Sequence, residues 1–108
     1  MITIYHNPRC SKSRSALLLV EQYAGQHDVP MQVVDYLKNP LTEKELRTLQ
    51  KQLGAQSAEL VREHEDLTPE QQRAMLLQQP ELLQRPIVSF NDRAVIGRPT
   101  ELIHSLLV

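Results

Sequence analysis

Cysteine, glycine and aromatic residues are all scarce in this chain of 108 residues. It contains one cysteine, three glycines, one phenylalanine, three tyrosines and no tryptophan. A single cysteine excludes an intramolecular disulfide, so no covalent cross-link stabilises the fold. Because the apolar start of the chain is far too short for a signal peptide and no disulfide requires an oxidising environment, we expect the protein to act in the reducing cytosol.

Long apolar runs and an excess of one charge are absent as well. No stretch approaches the roughly 18 apolar residues that cross a bilayer, so we expect no contact with a membrane. The formal net charge of −1 gives no overall attraction to nucleic acid, and any anion must be bound by locally placed arginines. Apolar residues make up 41% and charged residues 23%, as in ordinary globular proteins, and the length predicts one domain over residues 1–108.

The first third of the chain has the pattern of a βαβ unit. The alternation in Ile2–Tyr5 predicts a strand, and the helical spacing of apolar residues from Ser11 to Ala24 predicts a helix that ends at Gly25. A second strand is predicted over Met31–Tyr36. The two strands of such a unit are parallel by default.

The middle third is predicted to be helical. The segment Thr42–Glu45 is a capping box that begins one helix, which ends at Gly54. Thr68, with a proline and a glutamine after it, begins another helix that runs to about Leu77. The segment Ser57–Val61 also favours a short helix.

The last third predicts a hairpin and a final helix. Two apolar runs, Pro86–Phe90 and Ala94–Ile96, flank a turn whose residues tolerate positive φ, so the two strands are expected to be antiparallel. A helix is predicted from Pro99 onward, with four apolar residues facing inward: Leu102, Ile103, Leu106 and Leu107. The order of elements describes an α/β fold with a small mixed sheet covered by helices.

Cys10 lies where the first strand gives way to the first helix. The unpaired N–H groups and the positive end of the helix dipole favour a thiolate there, and Lys12 and Arg14 add positive charge. A small buried cysteine without reactivity is the alternative. Ser13 stands where a dithiol enzyme has its second cysteine, so an external thiol must complete any redox cycle.

Three arginines are candidates for anion binding: Arg62, Arg85 and Arg98. The alternative for each is an exposed charge with little effect on stability. Arg85 enters the predicted hairpin and Arg98 leaves it, so both are expected at the same edge of the sheet. Guanidinium groups donate hydrogen bonds in pairs, which suits a tetrahedral oxyanion better than an ammonium group does.

Four segments in this order together resemble the glutaredoxin-coupled arsenate reductase family. They are the run Tyr5-His6-Asn7-Pro8-x-Cys10-x-x-Ser13-Arg14, the segment around Arg62, the run Arg85-Pro86-Ile87-Val88 and the run Gly97-Arg98-Pro99. The resemblance covers nearly the whole chain. It implies a thioredoxin-like fold, in which helices flank a mixed four-stranded sheet, with an inserted helical segment of about residues 41–83.

The resemblance also implies roles for individual residues. Cys10 would be the nucleophile, and the oxyanion would be bound by the three arginines at positions 62, 85 and 98. Pro86 would be the cis-proline that faces the active-site loop. His6 would tune the thiol or orient the loop, or only form a hydrogen bond in the loop, and Ser13 would donate a hydrogen bond to the thiolate or only cap the helix.

The function implied by the resemblance is the reduction of arsenate to arsenite. Glutathione would be the co-substrate and glutaredoxin the protein partner, with no bound cofactor and no metal. Arsenate or a similar oxyanion would be the ligand. The chain has Ser11 and Lys12 after the cysteine, where the well-known reductases of the family have small residues, and this departure leaves the best substrate open.

Two other functions fit the same residues. One is a regulator similar to the Spx proteins, which bind RNA polymerase and sense redox state through a Cys-x-x-Cys pair; here Ser13 replaces the second thiol, which disfavours a disulfide switch. The other is a glutathione-dependent thiol oxidoreductase without arsenate activity.

Overall fold

The computed structural model describes residues 1–107. Its strands and helices follow the order β1 (Ile2–His6), α1 (Ser11–His27), β2 (Met31–Asp35), α2 (Glu43–Leu53), α3 (Pro69–Gln78), β3 (Ile87–Phe90), β4 (Arg93–Ile96) and α4 (Glu101–Leu107). Two 3₁₀ segments, Gly54–Glu59 and Pro80–Leu82, follow α2 and α3. The α/β order predicted from the sequence is therefore confirmed.

The four strands form one mixed sheet in the order β2-β1-β3-β4. β1 and β2 are parallel, with Ile2 opposite Met31, as the βαβ pattern predicted. β3 is antiparallel to both β1 and β4. This topology brings the carboxyl end of β1, the start of β3 and the carboxyl end of β4 to the same end of the sheet.

Side chains along each strand point alternately to the two faces of the sheet, and each face is covered by its own hydrophobic core. In β3, Ile87 packs with α2 and α3, while its neighbour Val88 packs with α1 and α4. In β1, Ile4 faces α1 and Tyr5 faces the other core. Helices therefore cover both faces of the sheet, which confirms the predicted layering.

Local sequence signals account for the starts of two helices and for the hairpin. Thr42 and Thr68 each accept a hydrogen bond from the backbone N–H three residues on, and their own backbone N–H donates to the side chain of that same residue, which completes a capping box. Asn91 and Asp92 adopt φ values of 53° and 61° in the turn between β3 and β4. Both residue types tolerate left-handed backbone, so the hairpin forms as predicted.

Several predicted boundaries were wrong. α1 does not end at Gly25 but continues to His27, and Asp28 ends it in the left-handed conformation with φ 54°. A glycine with helical φ does not stop a helix, whereas an aspartate can adopt the left-handed cap. The predicted short helix over 57–61 is instead the 3₁₀ segment Gly54–Glu59, and α4 begins at Glu101 rather than at Pro99. Leu102, predicted to face inward, is only half-buried.

The interpretation of residues 1–108 as one domain with an inserted segment of about 41–83 stays a prediction, and Val108 lies outside the described residues. The structure places α2, α3 and both 3₁₀ segments between β2 and β3. Within residues 1–107, no helix combines the length and the apolar character that a bilayer span requires.

Candidate active site

Cys10 occupies the N-cap position of α1, at the end of the loop that follows β1. Its backbone is extended, with φ −95° and ψ 121°, and its side chain makes no capping hydrogen bond. The Cys10 N–H donates to the carbonyl of Asn7 at 3.0 Å, and the Arg9 N–H donates to the Asn7 side-chain oxygen at 3.0 Å. The loop is therefore closed by its own polar groups, and the sulfur is left half-buried and free of a capping role.

The surroundings of the sulfur favour the thiolate. Burial raises the pKa of the Cys10 thiol, but the backbone N–H of Ser13, the guanidinium of Arg85 and the backbone N–H of Lys12 favour the thiolate and lower it, and the net pKa is below that of an ordinary cysteine. The donors include two N–H groups of the first helical turn, which have no partner within the helix. The backbone N–H groups at the helix start thus act on the thiol in the predicted direction, but the cation that acts on it is Arg85, not the side chains of Lys12 and Arg14.

Arg85 and Arg98 meet at the sulfur. The Arg98 Nε donates to the carbonyl of Arg85 at 2.6 Å, and the Arg98 Nη2 lies 3.8 Å from the Cys10 Sγ. Within residues 1–107 the buried Nε of Arg85 has no hydrogen-bond acceptor. The structure therefore brings two of the three predicted arginines together around Cys10.

Arg62 lies on a neighbouring segment. Its backbone N–H donates to the carbonyl of Leu82 at 2.8 Å, and its Nη1 is 3.5 Å from the carbonyl of Glu81. Val61 pairs with Leu83 in an isolated antiparallel bridge, so Arg62 is tied to the segment that leads into Arg85. Its guanidinium is half-exposed and contacts that segment rather than the sulfur.

Pro86 lies between Arg85 and the first residue of β3. The Arg85–Pro86 peptide bond is cis, as the resemblance implied, and the Arg98–Pro99 bond is cis as well. The Pro86 carbonyl accepts a hydrogen bond from the Gly97 N–H at 2.9 Å. This bond continues the β3–β4 ladder and holds the two arginine-bearing ends side by side.

His6 and Ser13 form a buried pair beneath the loop. The His6 Nδ1 lies 2.6 Å from the Ser13 Oγ, which also accepts a hydrogen bond from the Asn7 N–H at 3.0 Å. Ser13 is fully buried, and its hydroxyl is directed to His6 and Asn7. The Ser13 hydroxyl therefore has neither of its two predicted roles: the N-cap of the helix is Cys10, and Ser13 acts on the thiolate through its backbone N–H.

The protonation of His6 follows from its burial. Burial lowers the pKa of His6, while the carboxylate of Asp35 and the contact with Ser13 raise it by less. The imidazole is therefore mainly neutral at neutral pH. A neutral ring can accept a hydrogen bond from the Ser13 hydroxyl at Nδ1, and this bond ties the end of β1 to the first turn of α1.

Tyr36 is a site residue that the sequence reasoning missed. It follows β2, is almost fully buried, and its hydroxyl lies 3.5 Å from the Asn7 side-chain nitrogen. Burial raises the pKa of Tyr36, and the charges of Arg85 and Cys10 act on it in opposite directions. The position of Tyr36 at the end of a predicted strand indicated only a core residue, because the parallel βαβ pattern places the end of β2 near the loop after β1 but does not indicate which side chain contacts that loop.

The arrangement can attract an anion and attack it. A half-buried thiolate and two adjacent guanidinium groups are a combination that binds an oxyanion and supplies a nucleophile. Across the described part of the chain, no group of three or more His, Cys, Asp or Glu side chains is placed to hold a metal ion.

Comparison with known proteins gives one family. The model of the ArsC family matches residues 5–106. An arsenate reductase of Neisseria meningitidis serogroup B is 40% identical over 98% of this chain and 97% of its own length. The protein YfgD of Escherichia coli K12, which is described as uncharacterised, is 42% identical over 94% of this chain and 92% of its own length.

A solved structure agrees with these matches. The arsenate reductase from Vibrio cholerae has 32% sequence identity and a TM-score of 0.79, and the alignment covers 97% of this chain and 96% of the other. The likeness confirms the thioredoxin-like α/β fold that the sequence motifs implied.

Proposed function

The chain belongs to the ArsC family, and from that premise we propose that it reduces arsenate to arsenite with Cys10 as the nucleophile. One observation carries the proposal: the Cys10 sulfur lies at the first turn of α1 and 3.8 Å from the Nη2 of Arg98. A thiolate in that position can attack an oxyanion whose charge the arginines neutralise.

The three arginines bind the oxyanion together, each from a different position. Arg98 donates from the nitrogen that borders the sulfur, and Arg85 offers a buried Nε whose donor is unused within residues 1–107. A buried donor without an acceptor is costly, so a bound oxyanion would satisfy it. Arg62 is the third cation and approaches from the segment beside Arg85.

The first chemical step forms a bond between sulfur and arsenic. The Cys10 thiolate attacks arsenic(V), an S–As bond forms, one As–O bond breaks, and the oxygen leaves as water after protonation. The arginines stabilise the charge on the remaining oxygens during this step. Arsenic is still in the +5 state in the resulting adduct.

The electrons come from glutathione and glutaredoxin. Glutathione adds its sulfur to arsenic and a second water leaves. A glutaredoxin thiolate then attacks the glutathione sulfur, the S–As bond breaks, and its electron pair stays on arsenic, which becomes arsenic(III) while a mixed disulfide forms. Hydrolysis of the last S–As bond releases arsenite and returns the Cys10 thiol. We place the reaction in the cytosol, where thiols are kept reduced.

The requirement for an external thiol follows from Ser13. The chain has one cysteine, and the residue three positions on is a fully buried serine bonded to His6 and Asn7. It can neither attack the adduct nor form a disulfide with Cys10. The same fact argues against a regulator that senses redox state through a Cys-x-x-Cys pair.

The first test replaces the nucleophile. We expect Cys10→Ser to abolish arsenate-dependent oxidation of glutathione in an assay coupled to glutaredoxin, because a serine hydroxyl is not ionised at neutral pH. Ser11→Ala, which removes an exposed hydroxyl from the same turn, is the control and should retain activity. Turnover that persists in Cys10→Ser would eliminate the proposal.

The second test replaces the anion clamp. Arg98→Lys keeps the charge but loses the paired donors, so kcat/KM for arsenate is expected to fall at least about tenfold, as for the loss of a hydrogen bond to a charged group. Arg93→Lys is the matched control at the other end of β4, where Arg93 donates to the carbonyl of Leu106 at 3.3 Å. Equal kinetics for Arg98→Lys and the unsubstituted protein would contradict the clamp.

A third assay separates arsenate reduction from general thiol chemistry. The protein is given either arsenate or a glutathione mixed disulfide, with the same reductants. We expect turnover with arsenate. Turnover with the mixed disulfide alone would instead assign a glutathione-dependent thiol oxidoreductase.

A further inference from the structure

The side chain of Gln56 pairs with both backbone groups of Ile96. Its Nε2 donates to the Ile96 carbonyl at 3.1 Å, and its Oε1 accepts from the Ile96 N–H at 2.9 Å. Gln56 lies in the 3₁₀ segment Gly54–Glu59, whereas Ile96 is the last residue of the edge strand β4. Because β4 is an edge strand, no neighbouring strand pairs with these two backbone groups, and the side-chain amide of Gln56 pairs with them instead.

We propose that Gln56 is a positioning residue for Arg98, which acts through the backbone of Ile96. The inference rests on the proposed oxyanion-binding role of Arg98. Gln56 itself contacts neither the sulfur nor the oxyanion in this scheme. It fixes the end of β4, from which the arginine reaches the site.

The connection between the two residues is one carbonyl group. The Ile96 carbonyl accepts the Gln56 amide and also the Arg98 N–H, the latter at 2.8 Å. The guanidinium is then held by its bond to the Arg85 carbonyl at 2.6 Å, with Nη2 at the sulfur. A shift of the Ile96 peptide group would therefore move the backbone of Arg98 directly.

A glutamine is suited to this place because both Ile96 groups point away from β3. Ile96 lies opposite Ile87, and the ladder continues through the bond from Gly97 to Pro86. The outward N–H and carbonyl are partly buried under the helical segment and need one acceptor and one donor. A side-chain amide supplies both from a single residue.

The test uses Gln56→Met, which keeps the length of the side chain and loses both hydrogen bonds. We expect KM for arsenate to rise and kcat/KM to fall by about fivefold to tenfold, as for the loss of one or two hydrogen bonds. Because the Arg98 Nη2 borders the Cys10 sulfur, displacing or removing this cation should disfavour the thiolate, so the pH midpoint of Cys10 alkylation should rise in Gln56→Met and in Arg98→Ala. Gln52→Met is the matched control, since Gln52 bonds Asp92 at 3.4 Å at the opposite end of β4.

A double-mutant cycle separates positioning from general stability. If Gln56 acts through Arg98, adding Gln56→Met to Arg98→Ala produces no further loss in kcat/KM. A merely structural role would lower the active fraction, and so kcat, with KM and the alkylation midpoint unchanged. Fully additive effects, or no effect of Gln56→Met on KM and on the alkylation midpoint, would overturn the inference.

Two measurements do not depend on turnover. The alkylation midpoint of Cys10 and the solvent exchange of the Arg98 Nε–H, followed by NMR, report the position of the guanidinium directly; faster exchange is expected in Gln56→Met. If the unsubstituted protein fails to reduce arsenate, the proposed function fails while these readouts still decide the role of Gln56. Should Gln56→Met unfold, Gln56→Glu, which keeps the acceptor for the Ile96 N–H, is judged by the same criteria.

Discussion

At the scale of single residues, the reactivity of Cys10 is a balance between burial and donors. Burial alone would hold the thiol protonated, but the first-turn N–H groups of α1 and the guanidinium of Arg85 reverse the effect. The backbone donors come from the residues next to Cys10 in sequence. The arginine comes from a distant segment, so its contribution can be removed without rebuilding the loop.

The balance predicts how the reactivity of Cys10 depends on pH. Because the folded pKa is lowered, the thiolate persists below the pH at which an ordinary cysteine protonates, and alkylation by iodoacetamide should slow only as pH falls through the folded value. Arg85→Ala raises that pKa, so the slowing should begin at a higher pH. The control Arg47→Ala removes a guanidinium from the exposed ion pair with Glu43. Superimposable profiles for Arg85→Ala and the unsubstituted protein would disprove the role of Arg85.

At the scale of elements, the first turn of α1 lies at the site, and the cap at its C-terminal end determines how long the helix is. The helix runs from Ser11 to His27 and passes through Gly25 before Asp28 ends it. A Cβ at Gly25 would meet no atom within 4 Å, so the position has room for a side chain. The glycine therefore adds flexibility to the unfolded chain with no packing role in the folded one.

This feature predicts that Gly25→Ala stabilises the protein. Alanine restricts the unfolded chain and favours helix, so we expect a gain of about 0.4–1 kcal/mol in the free energy of unfolding, measured by urea denaturation. Gly54→Ala is the contrasting variant, since Gly54 has φ +60° and a side chain there is strained. It should lower stability. A destabilised Gly25→Ala would show that α1 requires glycine at this position.

At the scale of the whole molecule, the site exists because the sheet brings three distant backbone segments to one edge. The loop after β1 supplies the thiol, the arm before β3 supplies Arg85, and the end of β4 supplies Arg98. Gly97 lies at their junction, where a Cβ would come within 2.7 Å of the Ile103 Cδ1 and 3.2 Å of the Pro86 Cγ. α4 therefore packs directly against the backbone that carries the arginine.

This close packing predicts that Gly97→Ala damages both stability and catalysis. Ile103 is fully buried and has little room to move, so the added methyl group should cost about 1–3 kcal/mol of unfolding free energy. It should also raise KM for arsenate, because Arg98 is the next residue. Urea denaturation and steady-state kinetics measure the two effects, with Gly25→Ala as the control. An unchanged free energy of unfolding would mean that α4 can shift away from the added methyl group without destabilising the fold.

The sequence by itself determined what depends on neighbouring residues. The capping boxes at Thr42 and Thr68, the hairpin turn at Asn91 and Asp92, and the placement of Cys10 before a helix are local preferences of backbone and side chain. Alternating apolar residues also indicated the strands. Such preferences depend only on a few neighbouring residues, so they can be predicted from the sequence without knowledge of the tertiary structure.

Only the tertiary structure decided which distant groups meet. It placed Arg98 at 3.8 Å from the sulfur, left Arg62 on the neighbouring segment, added Tyr36 below the loop and joined Gln56 to Ile96. Each of these contacts depends on the register of the sheet and on how the helices pack across it. Many weak interactions along the whole chain set that register together, so no short stretch of sequence contains it.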